Sequence, residues 1–153
     1  NTLIMVGGND WSSAERWIEQ SDTLKFLKDP ANNLAFEAHV YFDKDASGTY
    51  KYSYEEEECY PEKGIDRVKP FVEWIKQNKF HGFIGEYGIP DNDPRWNETL
   101  DLFLGYLQEN GINGTYWAAG PWWDTYFMAI TPKDGKDRPQ MPIIEKYTST
   151  LKK

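Results

Sequence analysis

Four short apolar segments of strand character, residues 3–6, 34–41, 82–87 and 114–118, alternate with segments of helical period. Strand–helix alternation of this kind restricts the chain to a parallel sheet with right-handed crossovers, its outer face covered by the helices. The clearest helix spans 94–110. Asp93 is a candidate N-cap, Pro94 stands at the first helical position and Gly111 follows the end. Trp96, Leu100, Phe103, Leu104 and Leu107 recur at spacings of three and four, which makes one buried stripe. A second helix is expected over 66–78, capped by Asp66, with Val68, Phe71, Val72 and Ile75 inward and Trp74 beside the stripe. Ser12 and Glu15 form an S-x-x-E capping box for a short helix through Trp17. A last helix, 141–151, carries Ile144, Tyr147 and Leu151.

The chain has 153 residues, enough for one domain with a core. It carries 17 basic and 25 acidic residues, a net charge of −8, and such a field repels phosphates and argues against nucleic-acid binding. No apolar run is long enough to span a membrane as a helix. Cys59 is the sole cysteine and His39 and His81 are the only histidines, so no Cys/His metal site can be assembled and no metal or other cofactor is expected. The acidic run 55–58 reads as a solvated charge cluster. Asp43, Asp45 and the Ser47-Gly48 pair lack the closing Glu of a calcium loop. The chain opens without Met and almost inside an apolar strand, which leads us to expect that sequence upstream has been removed.

Side-chain parity on 34–41 places Glu37, His39 and Tyr41 on one face and Phe36, Ala38 and Val40 on the other. The apolar set meets the helices, so the polar set faces a barrel interior or cleft; a satisfied polar ladder at a sheet edge is the alternative. On the third strand, parity groups Glu86 with Ile84 and Gly82, opposite Phe83 and Tyr87; on the fourth, Trp117 shares a face with Thr115. A carboxylate, an imidazole, a phenol and an indole thus converge at one end of the sheet. Together they suit a sugar: the carboxylate attacks or stabilises an oxocarbenium-like centre, and the indole stacks on a pyranose face. Trp122 and Trp123 in the loop after the fourth strand, and Trp11 after the first, are candidates to extend that platform. Asn9 stands where it would orient a substrate hydroxyl or make a turn.

The motifs FEAHVYFD, GEYGIP and GTYWAAGPWW resemble strands six, seven and eight of glycoside hydrolase family 5 cellulases, and LIMVGGNDWSSAERW resembles their fifth strand and following loop. The resemblance covers essentially the whole chain in the family's order. It implies the C-terminal half, residues 1–153, of a (β/α)8 barrel, and retaining hydrolysis of β-1,4-glucan by a secreted enzyme. It also implies that Glu86 is the nucleophile, that His39 and Tyr41 line the cleft, and that Trp117 lies under the sugar at the cleavage point.

The family's acid/base Glu sits in an Asn-Glu-Pro context that this chain lacks. Its only Asn-Glu, Asn97-Glu98, is followed by Thr99 within a helix. Glu37 lies deeper in the barrel than His39 and belongs with an interior polar network. Retaining chemistry needs two carboxyl groups about 5–5.5 Å apart, and one is in the right context here. Four βα units are also half of a barrel of about 250 residues. We therefore expect completion by a partner, either a complementary N-terminal half-barrel or a second copy of the chain. The alternative function is a non-catalytic half-barrel or self-assembling scaffold that binds oligosaccharide.

Overall fold

The computed structural model describes residues 2–148. Four strands, β1 (Ile4–Gly7), β2 (Leu34–His39), β3 (His81–Tyr87) and β4 (Asn113–Tyr116), form one sheet in sequential order. Every pairing is parallel, as the alternation predicts. The crossovers carry α1 (Asn9–Ser12) and α2 (Trp17–Ser21), then α3 (Lys63–Asn78), then α4 (Arg95–Glu109), and α5 (Met141–Tyr147) follows β4.

Helix burial follows the predicted stripes. Trp96, Leu100, Phe103, Leu104 and Leu107 are all buried on α4. The helix ends where Gly111 takes a positive φ of 66°, and the Gly111 and Ile112 N–H groups donate to the carbonyls of Gln108 and Leu107 at 3.1 and 3.0 Å. On α3, Val68, Phe71, Val72 and Ile75 face the sheet, and Trp74 is not beside this stripe but within it at 1% exposure. Its indole N–H donates to Asp22 at 2.9 Å, which lets a polar ring edge sit in the core. Phe36 of β2 meets Trp74 edge-on at 5.0 Å, and Trp17 packs on Phe71 at 4.7 Å. One aromatic layer thus joins sheet and helices.

Several local expectations change. Helix α3 begins at Lys63, so Asp66 is in its first turn and Pro70 lies inside it. The carbonyl that Pro70 leaves without a donor belongs to Asp66, an exposed residue, where water can replace the bond. Ser12 does not cap a helix. Its φ is positive, as are those of Asp10 and Trp11, and its hydroxyl accepts the Gly8 N–H and donates to the Glu37 carbonyl, tying the loop after β1 to β2. Ser13 receives the Arg16 N–H instead. The run 55–58 is not uniformly solvated: Glu57 is buried and accepts the backbone N–H groups of Lys44 and Tyr52 at 2.7 and 2.9 Å. Leu151, assigned above to the last helix, lies outside the described residues.

Parity fails once, at the place that matters most. His39 pairs with Glu86 whereas Ala38 pairs with Ile84, a register shift of one residue. Ile84 is fully buried on the helix side. A β-carbon on Gly85 would point at the Glu37 side chain on the interior side, and Glu86 follows on that same side rather than returning to the face of Ile84. The bulge re-aims a carboxylate that strict alternation would have driven into the helix layer.

Truncating Phe36 to Ala should destabilise the chain by about 3–5 kcal/mol, because a fully buried aromatic leaves a cavity between sheet and helix. A lowered urea midpoint with unchanged slope is the expected reading.

Candidate functional site

The C-terminal ends of β2 and β3 hold the chemistry. Tyr41 donates its hydroxyl to Glu86 Oε2 at 2.9 Å. His39 stands between two carboxylates, with Nε2 at 2.6 Å from Glu37 Oε1 and Nδ1 at 3.7 Å from Glu86 Oε2. The backbone continues the ladder beyond the strands, since the Val40 N–H donates to the Glu86 carbonyl at 2.9 Å and Trp117 N–H to the Tyr87 carbonyl at 2.8 Å. The three side chains therefore inherit the stiffness of the sheet. They open into a cleft of about 460 Å³ shared with Trp11, Ser13 and Arg67.

Electrostatics follow from this packing. Burial and then the hydrogen bond and charge of Glu86 push the Tyr41 phenol far above its ordinary value, so it stays a donor. For His39, burial by itself would lower the pKa; the Glu37 hydrogen bond and the charges of Glu37 and Glu86 outweigh it, and the net shift is upward from 6.5. Burial, with a smaller contribution from the charge of Glu86, raises the Tyr126 phenol.

The loops are held from beneath. Fully buried Asp43 accepts the N–H groups of Gly48, Thr49 and Tyr50 and the Ser47 hydroxyl, all within 3.2 Å, which closes the loop after β2 as a turn. Tyr50 in turn accepts the Phe42 N–H and donates to the Gly88 carbonyl at 2.6 Å, joining the extensions of β2 and β3. Arg67 of α3 donates to the Tyr41 and Lys44 carbonyls. Periodicity marked Arg67 only as a helix position, and nothing in its spacing points to a carbonyl on another element.

Of the sequence candidates, the cleft gathers Glu86, His39, Tyr41 and Trp11, the last 87% exposed and held in a left-handed conformation. Trp117 stands just past β4, half-buried, with Trp123 at 5.1 Å and Tyr126 next to Trp123 at 5.1 Å. These rings form an aromatic patch beside the cleft. Tyr126 is the member that sequence reasoning missed; its place in a Tyr-Phe pair within a long loop was the only signal. Trp122 is 89% exposed and outside the cleft. Asn9 is outside it too, because its amide donates to the Gln20 carbonyl at 2.7 Å and serves the turn. Among the described residues no group of three or more His, Cys, Asp or Glu side chains is arranged to hold a metal ion.

A parallel βα sheet that gathers a carboxylate, a phenol and an imidazole at its C-terminal strand ends has its polar groups where βα-barrel enzymes place their active sites. The family model for cellulase, glycosyl hydrolase family 5, matches residues 1–122, and the chain belongs to that family. The probable endo-β-1,4-glucanase B of Aspergillus kawachii is 38% identical over an alignment of 149 residues that covers 94% of this chain and 43% of that protein. The Pseudomonas stutzeri endoglucanase Cel5A, solved with cellobiose, superposes with a TM-score of 0.87 at 45% identity, over 96% of this chain and 44% of its own. The endo-β-1,4-glucanase Xac0029 of Xanthomonas axonopodis pv. citri gives 0.84 at 33% identity, over 96% and 48%. The chain thus spans less than half the length of the relatives it matches.

Because the folded pKa of His39 lies above 6.5, its contribution to stability is complete below 6.5 and is lost as pH rises through the folded value. Urea midpoints should fall across that window, and His39→Asn should flatten that part of the profile. A second expectation concerns Gly85, where any β-carbon would overlap the Glu37 carboxylate. Gly85→Ala should cost about 1–3 kcal/mol by overpacking, read by the same unfolding measurement.

Proposed function

We propose that this chain is the C-terminal half, strands five to eight, of a retaining endo-β-1,4-glucanase catalytic domain, with Glu86 as its nucleophile. The observation that carries the reading is the Glu86 carboxylate held by the Tyr41 hydroxyl at 2.9 Å, beside His39, at the end of β3. In this reading Glu86 attacks the anomeric carbon, the departing sugar oxygen takes a proton from an acid outside this chain, and water then cleaves the glycosyl ester. Tyr41 orients the nucleophile. Trp117, Trp123 and Trp11 stack on sugar rings on either side of the cleavage point. Cello-oligosaccharide is the favoured substrate, by analogy with the cellobiose bound to the Pseudomonas stutzeri enzyme. A secreted location belongs to the same reading.

The proton donor comes from a complementary half-barrel carrying Asn-Glu-Pro. A second copy of this chain would close the ring with another Glu86 and no such donor. Glu37 does not fill the role, because it is engaged by His39 at 2.6 Å, below the site. The isolated chain is accordingly expected to hydrolyse glucan weakly or not at all.

The test is to combine the chain with an N-terminal family half, expose it to a 2-deoxy-2-fluoro cellobioside and map the peptides by mass. One glycosyl unit on Glu86 is expected, and Glu86→Gln should lower kcat on the order of 10³-fold or more. Label on a different residue would overturn the assignment.

A further inference from the structure

Glu37 is an ionisable group close to the cleft that the proposed reaction leaves without a task. It lies on β2 two residues before His39, paired in register with Gly7 and Phe83. Its Oε1 is 2.6 Å from His39 Nε2, while the other ring nitrogen, Nδ1, is 3.7 Å from Glu86 Oε2. A neutral imidazole has one N–H and one lone pair. Between two carboxylates it can donate to one and must turn its lone pair to the other. Only the imidazolium presents an N–H to both.

The surroundings are built for this arrangement. A β-carbon on Gly85 would overlap the Glu37 carboxylate, so the glycine is what gives that side chain room. The Ser12 hydroxyl donates to the Glu37 carbonyl and fixes the backbone from the neighbouring loop. The bulge between Ala38 and His39 brings Glu86 level with the ring. We propose that Glu37 is a positioning residue: it grips the Nε2–H of His39 and thereby keeps a cationic ring edge, with its own N–H, directed at Glu86.

The catalytic meaning rests on the reading of Glu86 as nucleophile, whereas the state of the His39 ring does not. A cation beside Glu86 offsets part of the cost of holding that carboxylate at a half-buried site. It also stabilises the carboxylate released when water cleaves the glycosyl ester. Other charges at the cleft are already matched. From the segment after β1, Arg16 is paired with Asp10 and Glu15 stands 3.6 Å from Arg67 of α3. Asp45 accepts the Ser47 N–H in the loop after β2. The uncharged phenols of Tyr41 and Tyr126 complete the surroundings of Glu86. The upward net shift of His39, reached in spite of burial, agrees with the geometry.

The experiment is a ¹⁵N ring-shift titration of the chain, with His39 told apart from His81, the other histidine, by a His81→Asn variant. The midpoint of His39 should lie above 6.5, so that more than half of the rings carry a proton on both nitrogens at pH 6.5. Glu37→Gln should lower that midpoint and reduce the doubly protonated fraction at the same pH, and Glu37→Asp should restore part of the shift. A neutral wild-type ring at pH 6.5, or an unchanged midpoint in Glu37→Gln, overturns the proposal. Should Glu37→Gln fail to fold, the wild-type shifts and the Asp variant still decide. In the reconstituted barrel, Glu37→Gln should lengthen the life of the fluoroglycosyl ester on Glu86 and shift the pH profile of its hydrolysis, a change that lost stability alone would not produce. If no ester forms on Glu86, the nucleophile reading fails while the His39 titration stands.

Discussion

The arrangement of the site depends on which face of β2 is buried. Phe36 and Ala38 are fully buried against the helices, with Trp74, Trp17 and Phe71 behind them. Removing such side chains from water is the dominant favourable term in folding. Because successive side chains alternate, committing Phe36 and Ala38 to the helix layer commits Glu37 and His39 to the other face. Polar groups there are tolerated because they satisfy one another: Glu37 with His39, and Glu86 with Tyr41. The core therefore orients the site without touching the cleft side.

The loops that frame the cleft are set by buried polar groups rather than by apolar packing. Asp43 gathers three backbone N–H groups of its own loop, and Tyr50 bridges the extensions of two strands. Arg138 does the same beyond β4, reaching Asp91 at 2.8 Å and the carbonyls of Asp124 and Thr131. Each of these side chains is buried, so each of their bonds acts where losing a partner is costly. That rigidity suits a site whose groups must hold their geometry before a ligand arrives.

A good deal of this was legible without coordinates. The four strands, their parallel order and the buried faces of α3 and α4 follow from periodicity, since apolar stripes have few ways to leave water. His39, Tyr41 and Glu86 could be brought to one end of the sheet on strand order alone. Asn9 was legible as a turn residue, and its amide serves the turn through the Gln20 carbonyl. Other features were not legible. The S-x-x-E pattern at Ser12 is a sound capping signal locally, but a tertiary bond to β2 claimed the hydroxyl. Tyr126 and Arg67 act on elements remote in sequence, and no spacing rule reaches that far.

Sequence by itself determined the layering of the chain, the segregation of polar from apolar faces and the family to which the motifs point. It did so because hydrophobic period is a local property. Tertiary structure decided the direction of Glu86. Strict alternation would have sent it with Ile84 into the helix layer, and the one-residue shift beside Gly85 sends it into the cleft. It also decided that His39 lies between two carboxylates. Both are outcomes of register between strands more than forty residues apart, which is settled when the sheet assembles and not before.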